Sequence, residues 1–98
     1  MERFSPPKTH LKDFEKALEI LREEGCHEIY LFGSIAIGEG SDSSDIDFGI
    51  RDFPRDRFFH IYGRLLSELD HDTDLIDFER QTAMFETLSD IGEIRRIA

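Results

Sequence analysis

The sequence predicts an α/β (α+β) fold, a small mixed β-sheet flanked by helices, and three observations carry that prediction. Apolar residues recur at helical spacing in two stretches: Leu11, Phe14, Leu18 and Leu21, then Phe58, Tyr62, Leu65 and Leu69. Between and after them lie short apolar runs of strand length, Ile29 to Phe32, Ile46 to Ile50, and Leu75 to Phe78. Glycine- and serine-rich breaks separate these segments, and no internal repeat or linker interrupts the 98 residues. Such a length suits a single domain, residues 1–98, with a modest core and no room for a separate substrate-binding domain.

Each element follows from local chemistry. Pro6-Pro7 blocks a helix, so residues 1–9 read as a loose arm. The first helix spans about 10–24 and stops at Gly25. A strand at 28–32 runs into Gly33-Ser34, then a short helical turn near 34–39 and a loop, Gly38 to Ser44. The second strand is 45–50. Pro54 suits the first position of a helix covering 55–69. A third strand occupies 73–78. In the tail, 80–98, Met84, Leu88, Ile91, Ile94 and Arg95 fall in helical phase, weakened by Gly92. The order is αββαβα.

Composition excludes several classes of function. Nine Phe and 39% hydrophobic residues indicate a packed core rather than disorder. No window holds the ~18 apolar residues of a membrane span, and the N-terminal residues lack a signal-peptide core. A cytoplasmic location is the default expectation. Cys26 is the only cysteine, which rules out an internal disulfide and a cysteine-built metal cluster and points to ordinary packing. A net charge of −10 disfavours direct binding to nucleic acid or anionic membrane. It leaves phosphate substrates open, because a divalent cation reverses the sign locally.

The chemistry concentrates in Gly33-Ser34 and Ser44-Asp45-Ile46-Asp47. Strand side chains alternate, so Asp45 and Asp47 point to one side, and two like charges there call for a cation. Gly33 has no Cβ and admits a phosphate close to the backbone. Ser34 adds a hydroxyl at the start of a turn whose free N–H groups favour an anion. A third carboxylate from another strand completes a clamp for two metal ions ~3.5–4 Å apart. Asp74 is the first candidate for it and Asp77 the reserve.

Other phosphate and metal devices fail on spacing. Gly33 and Gly38 match the start of a P-loop, but Glu39 and Gly40 replace its Lys and Ser/Thr. Gly38 and Gly40 lack the third glycine of a dinucleotide fingerprint. Asp42, Asp45 and Asp47 lack EF-hand spacing and its closing Glu. Asp72-Thr73-Asp74 lacks the glycine of an aspartic-protease triplet. The remaining conspicuous residues read as structure: Phe58, Phe59 and Tyr62 as core or partner surface, His60 and His71 as isolated, and Asp70 and Asp72 as turn caps. Lys8, Arg51, Arg55 and Arg57 read as solvated surface.

Gly33-Ser34-x-Ala36-x-Gly38 followed by Ser44-Asp45-Ile46-Asp47 resembles the signature of the nucleotidyltransferase superfamily that includes DNA polymerase beta. The chain's length resembles the minimal (MNT-type) branch, and Asp74-Leu75-Ile76-Asp77 is similar to the strand that carries that family's third carboxylate. The resemblance implies a Mg²⁺-dependent nucleotidyltransferase in which Gly33 and Ser34 hold the triphosphate, Ser44 adds to nucleotide binding, and Asp45, Asp47 and Asp74 bind metal. Asp74 would also activate an acceptor hydroxyl that attacks the α-phosphorus of a nucleoside triphosphate, with ATP the first choice. It further implies a small helical HEPN-type protein partner in a toxin–antitoxin pair, adenylylated on tyrosine, and leaves a homo-oligomer open. Two positions depart from the pattern: Ile35 and Ile37 stand where the family usually carries basic residues. They motivate an alternative in which the chain neutralises its partner by contact alone. A metal-binding regulatory domain is a third reading.

Overall fold

The computed structural model describes residues 7–98. Helix α1 (Leu11–Glu23) leads into strand β1 (Glu28–Phe32), the short helix α2 (Gly33–Ala36) and strand β2 (Ile46–Arg51). Helix α3 (Phe58–Glu68), strand β3 (Thr73–Asp77), helix α4 (Thr82–Asp90) and strand β4 (Ile94–Arg96) complete the order. Of the arm expected over 1–9, residues 1–6 lie outside the described residues, and Lys8–His10 form a 3-10 turn against α1.

The strands form one mixed sheet in the order β3-β2-β1-β4. β1 pairs antiparallel with β2 and with β4, whereas β2 and β3 are parallel. A parallel pair needs a crossover between its strands, which α3 supplies. Alternation then sorts the side chains into two cores. Ile29 and Leu31 of β1, Ile46, Phe48 and Ile50 of β2, and Leu75 of β3 join α1 and α3 in the larger one. Tyr30, Phe32 and Phe78 pack with Ile76, Met84, Phe85 and Leu88 on the α4 face. Gly49 faces that second core because Phe78 lies directly over it, leaving no space for a Cβ.

The α1 stripe turns slightly from the expected one. Ala17, Ile20 and Leu21 are fully buried, Phe14 and Leu18 partly so, and Leu11 is 45% exposed. Arg64 of α3 reaches Glu23 of α1 and Glu24 just beyond its end at 3.1 Å each and ties the two helices together.

The tail departs from the sequence reading. The helical phase through Met84 and Leu88 ends at Asp90, and Ile94 and Arg95 lie in β4 rather than in a continued helix. Gly92, at φ +73°, adopts the left-handed conformation that stops α4 and turns the chain back. The free edge of β1 supplies the ladder partners that outweigh a weak helical pattern: Ile97 N–H donates to the Ile29 carbonyl at 2.8 Å, and Ile29 N–H to that of Ala98 at 3.1 Å.

Candidate active site

The site grows from the point where β1 stops. Gly33 sits at φ +78°, and a Cβ there would collide with the Asp47 carboxylate. A glycine is required twice over, for the left-handed backbone and for the contact. Phe32 is the register partner of Asp47 across β1 and β2, which sets that carboxylate beside the turn. Ser34, next along, is exposed, while Ile35 packs into the large core at 3% exposure. Ile37 is half-buried. A basic residue at position 35 would therefore be driven into apolar surroundings, and α2 is held from behind instead: Arg95 Nε of β4 donates to the Ala36 carbonyl at 2.7 Å.

Asp47 and Asp74 face each other in register across the parallel β2–β3 pair. Burial, then the charges of Asp74 and Asp45, push the Asp47 carboxyl up from 3.8 to about 6. The charges of Asp45 and Asp74 thus reach Asp47, with Asp45 and Asp74 exposed and Asp47 half-buried. Tyr62 of α3, which the sequence reading left as core or partner surface, donates its hydroxyl to Asp74 Oδ1 at 2.9 Å. Burial and that bond to Asp74 raise the Tyr62 pKa.

Two other sequence candidates have structural work. Asp77 accepts from the amides of Glu79 and Arg80 and pairs with Arg55 at 2.7 Å. Burial alone would raise its pKa, but the Arg55 and backbone hydrogen bonds leave it below the ordinary value. Ser44 Oγ accepts from Ser41 N–H at 2.8 Å and closes the turn before β2. A cavity of 440 Å³ is lined by Arg55, Phe58, Phe59, Leu75, Asp77 and Gln81 and takes in none of the glycine turn.

Sequence reasoning also missed a polar cluster behind β2 and β3. His10 is fully buried, and its Nε2 donates to the Ser44 carbonyl at 2.7 Å. Its ring stacks on His71 at 3.8 Å, and His71 Nδ1 lies 2.7 Å from Asp13 Oδ2. Burial works to raise the Asp13 pKa, but hydrogen bonds from the Asp70 and His71 amides and the His71 ring outweigh it and hold it low. No short-range pattern signals a cluster whose members, His10 and His71, lie about sixty residues apart.

Among the described residues, no three Asp, Glu, His or Cys side chains gather closely enough to enclose an ion by themselves. This donor set still fits Mg²⁺, which binds through one or two carboxylates, keeps several waters and takes further oxygens from substrate phosphates. Asp47, which feels the charges of Asp74 and Asp45 and lies against Gly33, is the group around which such an ion fits.

Comparison with known proteins identifies the fold and the family. The family model described as polymerase beta, nucleotidyltransferase, matches residues 15–91, which includes the glycine turn and all three aspartates. A crystal structure of a toxin–antitoxin with AMP-PNP superposes with a TM-score of 0.68 and 26% identity, over 88% of this chain and 72% of that one. A mutant form of the toxin–antitoxin MntA-HpeT gives 0.66 and 25%, over 87% and 71% respectively. No protein of curated function matches. With most of its length matched by the family model, the chain belongs to the polymerase beta nucleotidyltransferase family.

Proposed function

We propose that this chain is a Mg²⁺-dependent nucleotidyltransferase that moves a nucleoside monophosphate, AMP first of all, onto a hydroxyl of a partner protein. In this reading it acts in the cytoplasm as the antitoxin of a toxin–antitoxin pair, with a small helical HEPN-type partner as acceptor. The supporting observation is the packing of the Gly33 turn directly on Asp47, itself in register with Asp74. The similarity to toxin–antitoxin structures, one of them with AMP-PNP, supports the choice of nucleotide and partner.

The residues divide the work. Gly33 and the amides of α2 face the triphosphate, and Ser34 offers its exposed hydroxyl. Asp45, Asp47 and Asp74 would hold Mg²⁺ together with water and the substrate's phosphate oxygens, and the ion would supply charge neutralisation there. Asp74 takes the proton of the acceptor hydroxyl. The acceptor oxygen bonds to the α-phosphorus as the bond to the β-phosphate bridge breaks and pyrophosphate leaves. Tyr62, bonded to Oδ1, fixes the Asp74 carboxylate and leaves Oδ2 for the acceptor. Catalysis on this account is positioning and charge neutralisation.

One observation favours a second reading, neutralisation of the partner by contact alone. Ile35 is buried and the glycine turn carries no cation of its own. Thermal unfolding separates the two. The enzyme is stabilised by Mg²⁺ with ATP, and the Asp45→Asn, Asp47→Asn double variant is not. A wild-type protein unmoved by any nucleotide supports contact alone.

A further inference from the structure

The cluster of buried His10 and Asp13 with half-buried His71 takes no part in the chemistry above, yet it touches both segments that deliver the carboxylates. A carbonyl only accepts, so His10 Nε2 carries hydrogen and donates to Ser44, the residue before Asp45. Its Nδ1 lies 3.0 Å from Thr9 Oγ1, and that hydroxyl also reaches Asp42 Oδ1 at 3.1 Å in the same loop. On the other side, Asp13 accepts from the amides of Asp70 at 3.0 Å and His71 at 2.7 Å, in the segment that leads to Asp74. The stacked imidazoles, 3.8 Å apart and 26° from parallel, join the two halves. The start of β2 also bonds the segment before β3 directly, Ile46 N–H to the Asp72 carbonyl at 3.0 Å.

Filling this space with apolar side chains would suffice for packing alone. Here the buried polar side-chain atoms among the described residues all have partners. A fully satisfied buried network specifies one arrangement, because any shift leaves a group unpaired in low dielectric.

We propose that His10 is a positioning residue. With Asp13 and His71 it fixes the loop before β2 against the segment before β3, and so sets Asp45 relative to the Asp47–Asp74 pair that the sheet register already places. The inference rests on the nucleotidyltransferase reading, since it is metal and nucleotide that make this placement matter. His10 touches neither; it acts through Ser44.

The test compares His10→Phe, which keeps an aromatic ring but no donor, with His10→Gln, whose side-chain amide restores an N–H at similar reach. AMP-PNP binding is measured by calorimetry across a Mg²⁺ titration, alongside thermal unfolding. His10→Phe is expected to need about tenfold more Mg²⁺ for half-maximal binding, as for groups that orient metal ligands. Its metal-free nucleotide affinity stays unchanged, and His10→Gln returns close to wild type. A folded His10→Phe protein with a wild-type Mg²⁺ requirement overturns the proposal whatever its melting temperature, and so does a His10→Gln protein equally impaired. If His10→Phe does not fold, Asp13→Asn, which keeps the shape and removes the charge, is expected to raise the Mg²⁺ requirement, and no rise overturns the proposal. Wild-type protein that binds no AMP-PNP at any Mg²⁺ concentration defeats the nucleotidyltransferase reading and this proposal together. Wild-type binding with unchanged variants defeats only the positioning role.

Discussion

Replacing Asp47 by Asn should stabilise the protein at neutral pH while removing its activity. The Asp47 carboxyl ionises near 6 in the folded chain against an ordinary 3.8. The sign follows directly. Between about pH 4 and 6 the folded protein keeps a proton that the unfolded chain has released, so stability falls as pH rises through that window. A rise of about two units corresponds to about 3 kcal/mol, reduced by solvent screening of a half-exposed carboxylate to about 1–2 kcal/mol. Asn keeps the shape, removes the charge and escapes the repulsion of Asp45 and Asp74. In a domain of this size a gain of 1 kcal/mol raises Tm by ~4–8 °C. Thermal unfolding at pH 7.5 and pH 4.5, two settings of about three pH units' separation across the titration, checks the claim. The variant should melt higher at the first pH, with the gap shrinking at the second. An Asp47→Asn protein that melts lower than wild type at neutral pH, or whose advantage is the same at both, refutes the argument.

Three further outcomes follow from the packing. Gly33→Ala forces an L residue into left-handed backbone, a cost of about 1–2 kcal/mol before its Cβ meets Asp47, and should abolish stabilisation by Mg²⁺ and AMP-PNP in a thermal-shift assay. Gly49→Ala drives a methyl into the Phe78 ring and should cost about 1–3 kcal/mol in chemical denaturation, yet leave nucleotide affinity of the folded fraction unchanged. Tyr62→Phe removes the hydrogen bond to Asp74 and should lower kcat about tenfold with KM for the nucleotide unaltered, as steady-state kinetics with the acceptor would show.

Much of this architecture was legible because it depends on short-range periodicity. The helical spacing of Phe58, Tyr62 and Leu65 and the apolar run at Ile29 to Phe32 become α3 and β1 with boundaries near those expected. Alternation along β2 correctly separates Ile46, Phe48 and Ile50 from Asp47. The failures are all non-local. Ile94 keeps helical phase with Leu88 and Ile91, and only the unpaired edge of β1, more than sixty residues away, makes it a strand. Missing β4 meant missing Arg95, the group that holds α2 by the Ala36 carbonyl. At the site, residue types suggested three carboxylates, but the register that sets Asp47 opposite Asp74 belongs to the crossover through α3. Tyr62 reads equally well as a core residue, and its hydroxyl's partner is fixed only when α3 lies along β3. Ile35, notable in sequence for the charge it lacks, is explained by the core it fills.

The most direct test of the account is label transfer from α-labelled nucleoside triphosphates, with Mg²⁺, into lysate of the source cell. The Asp45→Asn, Asp47→Asn double variant serves as control. A nucleotidyltransferase acting on a partner leaves label in a discrete protein band that the variant does not produce. Absence of label from protein, RNA and small molecules with every nucleotide contradicts the enzymatic reading and leaves neutralisation by contact.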